Sequence, residues 1–149
     1  MKITSVADLQ AAYESLKNTV AIREGVHETI DGYRKHILIC GGTGCTSSGS
    51  VKIKDTMVAE IEALGLSEEF KVVGTGCFGL CALGPIMIVY PEGCFYSMVN
   101  VDDIPEIVKE HFVNGHIVTR LLYQETVGND GVIKSLNQTD FYRKQIRVA

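Results

Sequence analysis

Four of the chain's five cysteines fall in two tight pairs, Cys40 and Cys45 in CGGTGC and Cys77 and Cys81 in CFGLC, with 31 residues between the pairs. Thiols in such an arrangement have three chemical uses. Thiol–disulfide exchange of the C-x-x-C type needs two intervening residues, and neither pair has that spacing. A structural zinc site accepts four cysteines and tolerates these spacings. A [2Fe-2S] cluster also takes four thiolates, two on each iron. The fifth cysteine, Cys94, has no partner at ligand spacing and reads as a small buried hydrophobe.

The residues around the pairs favour iron over zinc. An all-thiolate [2Fe-2S] centre carries a net charge of about −2, and about −3 once reduced, so hydrogen-bond donors must meet a buried anion. Nine of the 15 glycines lie between residues 41 and 84, and all of these but Gly65 sit in the cysteine loops. Without side chains, those loops can turn backbone N–H groups toward sulfur.

Two strands and a crossover helix bring the pairs together. His36–Cys40 (HILIC) is a short apolar run ended by Gly41-Gly42, the pattern of a buried strand. Ser50 opens a helix with Ile53, Met57, Ile61 and Leu64 on one face, closed by Gly65. A second strand is expected at Phe70–Val73, and in a right-handed parallel β-α-β unit both strands end at the same sheet edge, each followed by a cysteine loop. Strands at Ile86–Tyr90 and Phe95–Val99 form a hairpin about Pro91-Glu92-Gly93. A last helix spans about Asp103–Val113, with Pro105 in its first turn and Ile104, Ile107, Val108 and His111 on its apolar face. The expected fold is α/β, with a mixed four-stranded sheet in β-α-β-β-β-α order feeding one core.

Before this unit, Val6, Leu9, Tyr13 and Leu16 mark one face of an N-terminal helix, with Ser5 and Asp8 as a capping box. Residues 19–35 read as a connector. The organisation is thus an N-terminal helix and connector over 1–35, the main domain over 36–123 and a polar linker over 124–149. That linker holds a Gly128–Gly131 turn, a helix-like stretch after Thr139 and the start of a strand at Ile146–Val148.

The rest of the composition narrows the function classes. The 149 residues are 46% hydrophobic and 21% charged with a net charge of −4, which argues for a folded domain and against a nucleic-acid partner. The longest apolar runs, Ile37–Cys40 and Ile86–Tyr90, fall far short of the roughly 20 residues of a membrane span. No export signal is evident in MKITSVADLQ, so the expected location is the cytoplasm. Gly74-Thr-Gly76-Cys-Phe-Gly79 imitates a dinucleotide fingerprint without room for its helix, and Gly44-x4-Gly49-Ser50 imitates a phosphate loop without its lysine. His36 and His111 are read as framework residues, and no hydrolytic constellation can be localised.

The pattern of C-x4-C followed by C-x3-C on this frame resembles the thioredoxin-like [2Fe-2S] ferredoxins, which include the small subunit of respiratory NADH dehydrogenase. HILICGGTGCTSSGS and VGTGCFGLCALGPIMIVYPEG look more narrowly like the N-terminal domain of the NADH-binding flavoprotein subunit of bacterial NAD(P)-dependent and electron-bifurcating hydrogenases. That match covers about Arg34–Tyr123. The tail TDFYRKQIRVA is similar to the segment leading into the flavin- and NADH-binding module of that subunit. The single N-terminal helix departs from the larger helical region usual in stand-alone ferredoxin subunits.

The resemblance implies a thioredoxin-like fold and a [2Fe-2S] cluster held by Cys40 and Cys45 on one iron and Cys77 and Cys81 on the other. It implies one-electron transfer within an NAD(P)-linked hydrogenase or NADH dehydrogenase complex. FMN, NAD(P) and further iron–sulfur clusters would belong to the complete subunit or complex. The partners would then be a flavin/NADH-binding module and other iron–sulfur subunits, with a homo-oligomer possible. A zinc-stabilised interaction module and a thiol–disulfide protein are the alternatives.

Overall fold

The computed structural model describes residues 2–24, 33–128 and 134–145. Helix α1 spans Val6–Ala21 and is capped as the sequence implies. The Ser5 hydroxyl accepts the Asp8 N–H at 3.1 Å, and the Asp8 carboxylate accepts the Ser5 N–H at 2.9 Å. Its apolar face does not pack on the domain. Val6 is 80% exposed, and Leu9, Tyr13 and Leu16 are also exposed, whereas Ala12 and the following Ile22 are buried. Periodicity shows that a face is apolar, not what covers it.

Strand β1 (Lys35–Cys40) is buried throughout. Helix α2 (Thr43–Ser47), one turn long and unexpected from the sequence, follows it and carries Cys45. Helix α3 (Ser50–Ala63) starts after Gly49, whose φ of +96° makes it rather than Ser50 the capping residue. It ends in a Schellman motif, with the Leu66 N–H on the Ile61 carbonyl and the Gly65 N–H on the Glu62 carbonyl. Ile53, Met57 and Ile61 are buried, while Leu64, one residue beyond the helix, is exposed.

Strand β2 (Phe70–Thr75) pairs with β1 in parallel, Lys35 opposite Phe70 through Cys40 opposite Thr75. Strands β3 (Met87–Tyr90) and β4 (Cys94–Tyr96) form the expected hairpin, turning at Gly93 with φ +69°. Strand β3 runs antiparallel to β1, which completes a mixed sheet in the order β2-β1-β3-β4. Helix α4 is an α-helix over Ile104–Glu106 and widens to a π-helix over Ile107–Val113. A capping box between Asn100 and Asp103 introduces it.

Strand alternation divides the apolar residues between the two faces of the sheet, so two cores form rather than one. Ile37, Ile39, Met87, Val89, Cys94 and Tyr96 face α3 and α4, where Phe70 and Phe112 pack with centroids 5.3 Å apart. Leu38, Cys40, Ile88 and Phe95 face the other way, against Cys45, Ile86 and Leu136. The described part of the span read as a linker lies on this second face. Leu136 is buried there with Tyr142 packed beside it, Thr126 and Thr139 are also buried, and a short helix α5 (Asp140–Arg143) follows Thr139. The strand start expected at Ile146–Val148 and most of the Gly128–Gly131 turn lie outside the described residues. Among the described residues no helix is long and apolar enough to cross a membrane.

Candidate metal centre

The parallel register decides where the two cysteine loops go. Cys40 ends β1 opposite Thr75 at the end of β2, and the Gly41 N–H donates to the Thr75 carbonyl at 3.0 Å, so both chains leave the sheet side by side. Cys45 enters from α2, and Cys77 and Cys81 come from the loop after β2. Cys40 and Cys45 are buried, and Cys77 and Cys81 are exposed.

At Gly42 and Gly84 the loops approach so closely that a side chain would not fit. A Cβ on Gly42 would stand 2.8 Å from Cys77 Cβ and 3.1 Å from its sulfur. One on Gly84 would lie 2.8 Å from the Cys45 sulfur, whereas one on Gly44 would meet Cys81 at ordinary contact distance, 3.7 Å from its sulfur. Gly42 and Gly84 thus leave room beside the Cys77 and Cys45 sulfurs that a side chain would fill.

Within it, Cys77 Sγ and Cys81 Sγ are 3.6 Å apart, and Cys40 Sγ lies 3.7 Å from the Gly76 carbonyl. The Gly79 N–H donates to Cys77 Sγ at 3.3 Å. That bond, followed by the one from Cys81, holds the Cys77 thiol below the ordinary thiol range. Cys81 moves the other way, because it shares its proton with Cys77 and feels the charge there. Burial, and then the hydrogen bond with Cys40, push the Cys45 thiol up to about 11.

The four thiols interact across the pairs as well as within them, Cys77 with Cys81 and Cys40, and Cys45 with Cys40 and Cys81. A binuclear cluster needs two thiolates for each iron and room between them. The pairs, the glycine-lined space and the N–H aimed at sulfur fit the binuclear centre.

The other residues singled out in the sequence lie apart from this space. Cys94 is wholly buried in the α3/α4 core, and burial pushes its thiol up to about 12. His36 is buried on β1, where its Nδ1 accepts from Arg23 Nε at 3.4 Å. His111 is 1% exposed and packs against Tyr96 and Glu92.

One group beside the centre was not read from the sequence. The Tyr142 hydroxyl donates to the Phe78 carbonyl, inside the Cys77–Cys81 loop, and the Phe141 ring lies over Gly79. The tail closes a cavity of about 470 Å³ whose wall includes Cys77, Ile88 and Tyr90. The only signal was the aromatic pair at 141–142, and nothing local says where such a pair docks.

A family model described as thioredoxin-like [2Fe-2S] ferredoxin matches residues 8–111. A 2Fe-2S ferredoxin of Clostridium pasteurianum is 43% identical over 96 residues, covering 59% of this chain and 94% of the relative. One from Aquifex aeolicus is 30% identical over 97 residues, covering 59% and 87%. Among solved structures, the wild-type thioredoxin-like [2Fe-2S] ferredoxin from Aquifex aeolicus superposes with a TM-score of 0.56 at 30% identity, over 60% of this chain and 96% of that one. A chain of an NAD+-reducing [NiFe]-hydrogenase superposes with a TM-score of 0.51 over 80% of this chain and 23% of its own, at 12% identity, which is a likeness of fold alone.

Proposed function

The chain belongs to the thioredoxin-like [2Fe-2S] ferredoxins, and on that basis we propose that Cys40 and Cys45 ligate one iron of its cluster and Cys77 and Cys81 the other. As a member of the family it binds a [2Fe-2S] cluster and carries electrons. The carrying observation is the convergence of two cysteine pairs on one glycine-lined space at the ends of β1 and β2. When bound, the cluster supplies a centre that accepts and releases one electron at a time.

The chain's own residues divide the remaining work. Buried Cys40 and Cys45 anchor the site to β1 and α2 in a water-poor environment, while exposed Cys77 and Cys81 face the surface from which a redox partner is reached. The Gly79 N–H offsets negative charge on the Cys77 sulfur, and it contributes most when the site is most anionic. Gly42 and Gly84 keep the space open.

The wider setting we propose is an NAD(P)-linked hydrogenase or NADH dehydrogenase complex, with a flavin/NADH-binding module and further iron–sulfur subunits as partners. Two observations support it. Residues 34–123 and the tail resemble the corresponding subunit, and the likeness of fold to the hydrogenase chain reaches 80% of this chain, where the ferredoxin reaches 60%. Co-purification of the tagged chain from its own cells tests the setting. A flavoprotein and iron–sulfur subunits should accompany it in fixed proportion, and a chain recovered alone from gently lysed cells contradicts the assignment.

The cluster is tested on anaerobically purified protein. Two irons and two sulfides per chain, with an EPR signal only after uptake of one electron, are expected. A colourless protein holding zinc contradicts the reading.

A further inference from the structure

The clasp between the tail and the second cysteine loop meets that loop at a single peptide unit. The carbonyl that accepts the Tyr142 hydroxyl belongs to Phe78, and the N–H that donates to Cys77 Sγ at 3.3 Å belongs to Gly79. These are the two ends of one planar amide. A hydrogen bond accepted at the carbonyl polarises the amide and strengthens its N–H as a donor, and it also fixes the plane that aims the N–H. Gly79 has a φ of +86°, and the Phe141 ring stands 3.6 Å from where a Cβ of Gly79 would be, so the aromatic pair holds this peptide from two sides. The clasp residues lie beyond residues 8–111, the span matched by the family model.

We propose that Tyr142, supported by Phe141, is a positioning residue that raises the reduction potential of the centre by holding the Phe78–Gly79 peptide with its N–H on the Cys77 sulfur. The inference rests on the cluster reading given above. Uptake of one electron makes and breaks no bond and adds one negative charge to the sulfur-lined site. A donor held on sulfur therefore favours the reduced state.

The test is an equilibrium redox titration of wild type, Tyr142→Phe and Gln138→Ala, with dithionite as the reductant and the visible spectrum as the readout. Tyr142→Phe keeps the ring and removes only the hydroxyl. Gln138→Ala disturbs the same tail at its exposed turn, where Gln138 accepts the Ser135 N–H at 2.9 Å, without touching the clasp or changing charge. The expected result is a full oxidised spectrum in all three. The potential of Tyr142→Phe should fall by about threefold in the reduction equilibrium, or about 28 mV at 59 mV per tenfold, with Gln138→Ala unchanged. An unchanged or raised potential in Tyr142→Phe overturns the proposal, as does an equal fall in Gln138→Ala. Loss of the cluster from Tyr142→Phe overturns it too, since the tail would then hold the site together rather than tune it. A wild-type protein with no cluster would instead refute the underlying reading.

Discussion

Gly84 and Cys45 meet without space for a methyl group: a Cβ on Gly84 would stand 2.8 Å from the Cys45 sulfur and 3.3 Å from the Cys81 carbonyl oxygen. The backbone of Gly84, at φ −74° and ψ 156°, is one that alanine adopts freely, so any penalty there comes from the sulfur and carbonyl contacts and not from chain strain. Gly84→Ala is expected to lose at least half its cluster on purification, read as iron per chain. Gly74→Ala should retain it, because a methyl there meets only Lys54 Cδ at 3.8 Å. Equal iron contents in the two variants would show that the glycine-lined space is not needed.

The opposite face of the sheet carries a second buried polar group whose role is stability. The Val118 N–H donates to the Tyr96 hydroxyl oxygen at 3.2 Å, which leaves the tyrosine hydrogen for His111 Nδ1 at 2.8 Å and assigns the ring hydrogen to Nε2. Among the described residues the nearest polar group to Nε2 is the Glu92 carboxylate, at 3.8 Å and beyond hydrogen-bond distance. Tyr96→Phe leaves His111 Nδ1 and the Val118 N–H without the tyrosine hydroxyl and should lower unfolding stability by about 1–3 kcal/mol, measured by denaturant titration, with the cluster spectrum intact. A variant as stable as wild type would mean that this buried network contributes nothing net.

Glu92 gives that network its pH dependence. Burial alone would raise its carboxyl, but His111 and Lys35 overcome it and hold the group at about 2, against 4.5 for a free glutamate. A carboxyl depressed in the folded state adds stability above its unfolded pKa and loses it as pH falls toward the folded one. The stability gap between wild type and Glu92→Gln is therefore expected to be constant from about pH 8 to 5. It should shrink below about 4.5, from roughly 2 kcal/mol once the partial exposure of Glu92 is discounted. Urea midpoints followed by circular dichroism measure it. A gap that closes between pH 8 and 6 would assign the effect to a different group.

What could be read from the sequence was whatever local pattern dictates. Cysteine spacing and a strand–helix–strand order place Cys40 and Cys77 at one sheet edge, because parallel strands in a crossover unit must end together. Gly65 announces the end of α3, and Pro91-Glu92-Gly93 announces the hairpin. What could not be read depends on contacts distant in sequence. The span after Gln124 is polar enough to pass for a linker, yet Leu136 and Thr139 are buried and Tyr142 reaches a carbonyl 64 residues away. The stripe Val6, Leu9, Tyr13 and Leu16 marks one helical face, yet that face is exposed, since the 3.6-residue period carries no information about the partner. Helix α2 is too short to show any period at all.

The central claim is that Cys40, Cys45, Cys77 and Cys81, and not Cys94, hold the cluster. It is tested most directly by the five single Cys→Ser variants, purified without oxygen and compared by visible absorption, iron content and EPR after reduction. Serine at any of the four should abolish or grossly alter the spectrum, while Cys94→Ser, changed only in the α3/α4 core, should match wild type in all three measurements. Loss of the centre in Cys94→Ser, together with an unaltered spectrum in any one of the other four, would contradict the account.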